Sequence, residues 1–256
     1  RFERLPRGIR LTVQGKNVYH YACKIINEMD VLENMAARGM TRWIRISMNP
    51  SSWLANQFVD FYNQTYEKNY HFQVTTAGVR SVMERVRDYL DDIGFVYIFS
   101  QQKENFLHEL AKNKMQFVPM YETEVILYPG QKTELYASEK ESVEPEELKG
   151  LRFIQNYQDE FFDIGAAGED GFQWRDIDIS VLTNSDYIME KMLKNSRASN
   201  VSGSYLSENK KGTTPGIPLH MGDSRVIFGH ILHRGEKIDE SVQEFLDFLM
   251  ERLRKS

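Results

Sequence analysis

Residues 42–75, RWIRISMNPSSWLANQFVDFYNQTYEKNYHFQVT, decide the fold class. In RWIRISM apolar and polar residues alternate, and Ile44, Ile46 and Met48 share one face, as in a strand buried on one side. Asn49-Pro50-Ser51-Ser52 breaks that pattern with a turn and supplies a helix N-cap. Leu54, Phe58, Phe61 and Tyr66 then recur at helical spacing to about Lys68, and His71–Thr75 is extended again.

The alternation continues downstream. A helix presents Val79, Val82, Met83, Val86 and Leu90, a strand follows at Gly94–Phe99, a helix at about Phe106–Lys112 and a strand at Gln116–Met120. Strands that alternate with helices in this way predict a parallel α/β sheet. A second block begins near Glu124, with a strand at Val125–Tyr128 and a turn at Pro129-Gly130. It has a helical turn at Pro145–Leu148, strands at Phe153-Ile154 and Ile177–Leu182, and a helix at Asp186–Leu193. The Gly-rich stretch 163–176 and the Ser-, Asn-, Gly- and Lys-rich stretch 195–216 give no periodic signal. Arg225–Leu232 reads as a strong strand, and a last helix over about Glu240–Leu253 buries Val242, Phe245, Leu246, Leu249 and Leu253.

Upstream, FERLPRGIRL is an arginine-rich ribbon turned at Pro6 and Gly8. Thr12 is placed to cap a helix over Val13–Arg38, with Gly39 as its stop. Val18, Ala22, Ile25, Met29, Leu32 and Ala36 are spaced 4-3-4-3-4, an a/d seam that predicts pairing with another helix. The competing reading is a single amphipathic helix lying on its own domain.

Composition narrows the class. The 256 residues are 41% hydrophobic and 27% charged, which suits one or two globular lobes and excludes a disordered chain. No run approaches the roughly 20 apolar residues of a membrane span, and no apolar leader opens the chain. The single Cys23 excludes an internal disulfide framework, and the expectation is a soluble, cytoplasmic protein. The net charge of −5 is divided unevenly. Residues 1–16 hold five basic residues and one acid, so a basic arm precedes an acidic body.

Phe2-Glu3-Arg4, Arg7-Gly8, Arg10-Leu11-Thr12 and Gly15 resemble the F-x-R-x-x-R-G-x-x-L-T-x-x-G signature of LysR-type transcriptional regulators. There the segment is the wing of a winged helix-turn-helix that runs into a dimerising linker helix. The stretches IRISMNPSS with LANQFVDFYNQTYEKNYHFQV, SVMERVRDYLDDIGFVY, VEPEELKGLRFI and SVQEFLDFL resemble successive parts of the family's effector-binding domain. The match spans nearly the whole chain. It departs at Arg1, where the family has an aliphatic residue, at Gly78-Val79, where a polar residue often follows the glycine, and between Leu193 and Leu219, where the family's Gly-rich segment is not recognisable.

The resemblance implies an α/β protein with a two-lobed, periplasmic-binding-protein-like effector domain, preceded by a long dimerisation helix and a partial wing. Residues 1–12 would be the wing remnant and 13–39 the linker helix. Lobe I would comprise 40–122 with 223–256, and lobe II 123–222. It further implies a bacterial, cytoplasmic, DNA-binding transcription regulator that forms a homodimer or homotetramer. A small-molecule effector, expected to be anionic, would bind between the lobes and shift the oligomer's geometry on promoter DNA. The helix-turn-helix is expected to lie outside this chain. A two-lobed solute-binding protein with no DNA role is the alternative.

Ligands of open α/β sheets bind beyond the carboxyl ends of the strands, near helix N-termini. That places Ser51, Ser52, Thr76, Gly78, Tyr97 and Phe99 of lobe I, and Asn156, Thr183, Asn184 and Ser185 of lobe II, as candidate effector contacts. The serines and Thr183-Asn184-Ser185 read equally as simple N-caps, and Tyr97 and Phe99 as core. Arg4, Arg7 and Arg10 are candidate DNA-backbone contacts, and Val18, Ala22, Ile25, Met29 and Leu32 the dimerisation seam.

Signals for catalysis are poor. His230 and His233, three apart on a strand, point to opposite faces, and the other histidines lack ligand spacing. Ser202-Gly203-Ser204 lacks the G-x-S-x-G frame, and Lys210-Lys211-Gly212-Thr213-Thr214 lacks a P-loop's first glycine. No enzyme activity, metal or cofactor is expected.

Overall fold

A computed structural model describes residues 2–5, 8–38, 42–68, 70–138, 140–156, 177–204 and 215–254. β1 (Phe2–Leu5) and β2 (Gly8–Leu11) form an antiparallel hairpin with Glu3 opposite Arg10. Next comes α1 (Val13–Arg38), and Thr12 caps it, its Oγ1 accepting the Gly15 N–H at 3.0 Å. The expected stop at Gly39 lies outside the described residues.

Lobe I is built on β3 (Arg42–Met48), α2 (Ser52–Gln64), β4 (Tyr70–Thr76), α3 (Val79–Arg87), β5 (Ile93–Phe99), α4 (Lys103–Lys112) and β6 (Met115–Thr123). The chain then passes through lobe II, with β7 (Ile126–Tyr128), β8 (Arg152–Asn156), β9 (Asp178–Thr183), α5 (Asp186–Asn195), β10 (Ala198–Ser202) and β11 (Ile217–Pro218). It returns to lobe I as β12 (Val226–His233) and α6 (Glu240–Arg254).

Among the described residues each lobe has a five-stranded sheet, ordered β4-β3-β5-β12-β6 and β11-β7-β10-β8-β9. The first sheet is not wholly parallel, as the strand–helix alternation predicted. β12 runs antiparallel to both β5 and β6. The reason is topological: β12 comes back from the other lobe and enters the sheet from the cleft end. The stretch 195–216, silent in sequence, contains β10, a central strand of lobe II. Its ASNVS is polar because Asn200 and Ser199 are buried and hydrogen-bonded there, Asn200 donating to the Ile154 carbonyl at 2.8 Å.

Lobe I has three layers. Ile44, Ile46, Met48 and Phe95 pack against Leu54 and Phe61 of α2 and Phe245 and Leu249 of α6. On the opposite sheet face Val96, Ile98 and Ile227 meet Val82 and Val86 of α3 and Phe106 and Leu110 of α4. β5 is thus buried on both faces, as its unbroken IGFVYIF suggests. Gly94 allows the close approach of α3, since a Cβ there would lie 2.5 Å from Val82 Cγ1. Lobe II keeps a second core, in which Ile154, Met189 and Leu193 pin α5 to the sheet. Two chain passages join the lobes, at Thr123–Val125 and Leu219–Val226, and the Leu219 N–H donates to the Val125 carbonyl at 2.9 Å. No helix among the described residues is long and apolar enough to cross a membrane.

Candidate functional site

β3 and β4 end at one level, with Met48 opposite Thr76, while β5, whose Phe95 lies on the other side of Met48, runs on to Phe99. Asn49 ties these strands together. It is 2% exposed, its Nδ2 donates to the Ala77 carbonyl at 2.9 Å, and its Oδ1 accepts the Tyr97 N–H at 2.8 Å. One buried amide therefore fixes the floor of the cleft, because leaving either end unpaired would carry a full desolvation cost.

Above this floor α2 begins. Ser51 is its N-cap, the hydroxyl accepting the Leu54 N–H at 3.2 Å and lying 2.8 Å from the Tyr97 hydroxyl. Burial pushes the Tyr97 phenol well above its ordinary range, so it stays protonated and available as a donor. Ser52, one residue on, faces lobe II. Its hydroxyl donates to Glu190 Oε1 at 2.9 Å and lies 3.4 Å from Asp186 Oδ2. Both carboxylates belong to α5. Burial raises the Asp186 carboxyl to about 6, the neighbouring Glu190 charge adds to that, and the Ser52 hydroxyl opposes it. The N-terminal ends of α2 and α5 thus meet across the cleft, with two acids of one lobe held by a hydroxyl of the other.

The remaining candidates divide. Thr76 is exposed at the end of β4, and Gly78 is the N-cap residue of α3. Ser185 caps α5, accepting the Ile188 N–H, while its own N–H donates to the buried Thr183 hydroxyl at 3.1 Å. Asn184 is exposed beside them. Asn156, at the carboxyl end of β8, has a buried Oδ1 with no hydrogen-bond partner among the described residues. Phe99 is placed differently from the expected cleft lining: it is fully buried, packed with Val125, Leu127, Phe153 and Val226 where the lobes join. Its apolar ring fills the hinge core, where nothing is left for a ligand to touch.

No sequence pattern singles out Asn49, Asp186 or Glu190. Asn49 was hidden in a turn motif, and the two acids, four apart on one helix, look like an ordinary solvated face. Of the arginines, Arg10 is exposed and paired with Glu3 at 2.9 Å, Arg7 lies outside the described residues, and so does the side chain of Arg4. On α1 the seam is open: Val18, Ile25, Met29 and Leu32 are exposed and Ala22 is half-buried. Among the described residues no three His, Cys, Asp or Glu side chains are grouped as a metal ion would need.

No family model matches the chain, and no curated protein matches its sequence. Solved structures do match in fold. Full-length BenM, in a mutant form, superposes with a TM-score of 0.62 at 13% identity, over 99% of this chain and 82% of its own. The LysR family transcriptional regulator CbnR, solved full-length with its target DNA, gives 0.55 at 15% identity over 98% of this chain and 83% of its own. The effector-binding domain of QuiR, solved with shikimate, gives 0.57 at 10% identity over 83% of this chain and 97% of its own. The chain has the two-lobed α/β fold of LysR-type effector-binding domains, and in full-length matches the likeness extends over nearly all of it.

Proposed function

We propose that this chain is the sensing and dimerising part of a LysR-type transcriptional regulator. The observation that carries the reading is the combination of a two-lobed body with a 26-residue helix whose apolar seam finds no cover among the described residues. Ile25 is 60% and Leu32 63% exposed, and a second copy of α1 would bury this seam. The β1–β2 hairpin, with Arg4, Arg7 and Arg10, would lie against the DNA backbone as the wing of a winged helix-turn-helix.

A small-molecule effector would bind between the lobes, against Ser51, Ser52, Thr76, Gly78 and Tyr97 from lobe I and Asn156, Thr183, Asn184 and Ser185 from lobe II. An anionic group at the start of α2 would compete with Asp186 and Glu190 for the Ser52 hydroxyl. Its binding would therefore exchange a contact within the chain for one with the ligand. Different affinities for two lobe arrangements would then move the linker helices of a dimer or tetramer on promoter DNA. No observation favours catalysis.

A thermal-shift screen of the chain against small carboxylates, amino acids and sugar phosphates tests the sensing half. A binder should raise the melting temperature as its concentration exceeds its dissociation constant. The shift should disappear in Tyr97→Ala. A binder whose shift survives both Tyr97→Ala and Ser52→Ala would place ligand recognition elsewhere.

A further inference from the structure

Among the described residues, α1 meets lobe I at Tyr89, His233 and Glu236. Tyr89, in the turn between α3 and β5, has a φ of +57°, a left-handed conformation that a bulky side chain rarely adopts. Its neighbours hold it there. The ring stacks on His233 at 3.9 Å with a 7° tilt between planes, and the hydroxyl donates to Glu236 Oε1 at 2.8 Å. His233 is fixed in turn at the end of β12 by a 2.7 Å hydrogen bond between its Nε2 and the Val86 carbonyl.

Two residues of α1, one turn apart, close on this platform. The His20 ring lies 4.9 Å from that of Tyr89 and 5.6 Å from that of His233. Lys24 Nζ donates to Glu236 Oε1 at 2.5 Å and sits 4.8 Å over the Tyr89 ring. Burial acts to raise the Glu236 carboxyl, but hydrogen bonds from Lys24 and Tyr89 outweigh it and hold the group below the ordinary carboxylate range. Strained backbone persists where its surroundings over-determine it, and such positions gather at functional contacts.

We propose that Tyr89, with His233 and Glu236, is the seat that receives His20 and Lys24, and that this contact sets the direction in which α1 leaves lobe I. Cation–π, stacking and ion-pair contacts are directional, so the seat fixes both the rotation and the tilt of the helix. The consequence for regulation rests on α1 being the dimerising helix: a movement of lobe I is then passed to the partner through these five side chains. The seat itself does not depend on that reading.

Distance measurements between two spin labels on the full chain test it. In a Cys23→Ser background, Gln14→Cys on α1 and Lys112→Cys on α4 carry the labels, diluted with unlabelled chain. One narrow distance peak is expected. Tyr89→Gly removes the ring and suits the positive φ, and Lys24→Glu sets two acids against each other. Each should lose the narrow peak while the thermal melt of the body is kept, and Lys24→Glu combined with Glu236→Lys should restore it. If Tyr89→Gly unfolds the body, Lys24→Glu decides alone. A narrow peak that survives Lys24→Glu overturns the seat. Light scattering on the same samples reports dimerisation separately, so loss of the seat and loss of the dimer are distinguishable.

Discussion

α1 and α6 are both amphipathic helices, and they meet opposite fates. α6 buries Val242, Phe245, Leu246, Phe248, Leu249 and Leu253 against the lobe I sheet, none more than 8% exposed. α1 is longer and has an equally regular stripe, yet Val18, Ile25, Met29 and Leu32 stay exposed. Periodicity alone does not tell the two apart. The breadth of the stripe does: α6 has apolar residues at 242, 245, 246, 248, 249 and 253 and so forms a wide face that a sheet can cover, whereas the α1 seam is the narrow 4-3 repeat expected of a helix that pairs with another. One stripe stabilises the monomer, and the other is, on the proposed reading, left for association.

The largest expected effect lies on the α6 side. Phe245→Ala should cost about 3–5 kcal/mol of folding free energy, independent of protein concentration, because it opens a cavity among Phe61, Phe95 and Phe58. Chemical denaturation at two concentrations checks this. On the α1 side, Ile25→Asp with Leu32→Asp should leave the melt of the lobes unchanged but weaken association by about 3 kcal/mol, roughly a hundredfold in dissociation constant. Analytical ultracentrifugation reads that loss.

The cleft is expected to behave as neither core nor seam. The folded-state value for Asp186, about 6, lies above the ordinary 3.8. The folded state therefore holds more protons than the unfolded one between these values, and stability should fall as pH rises from about 4 to 6. Denaturation from pH 4 to 7 should show Asp186→Asn removing about 3 kcal/mol of that fall. The smallest effect is expected from Ser52→Ala. It breaks the contact with Glu190 and Asp186 and should cost no more than about 1 kcal/mol, visible as a slightly wider spread of lobe separations in X-ray scattering.

The fold was legible where hydrophobic residues carry a period. RWIRISM, IGFVYIF and the α6 stripe announce the faces they bury, and Thr12 announces the start of α1. It was not legible in β10, where polar side chains are buried by hydrogen bonding, or in the direction of β12, which depends on a return from the other lobe. At the candidate site the strand-end residues Ser51, Ser52 and Tyr97 could be named from position, and the structure brings them together. Asp186, Glu190 and the Tyr89 seat could not. Their roles come from contacts between residues more than a hundred positions apart, which no local pattern encodes.

Light scattering on the chain at tens of micromolar, beside the Ile25→Asp/Leu32→Asp variant, tests the central claim most directly. The account predicts at least twice the mass of one chain for the unmodified protein and the mass of one chain for the variant. A monomeric unmodified protein, or a variant that stays associated, would contradict it.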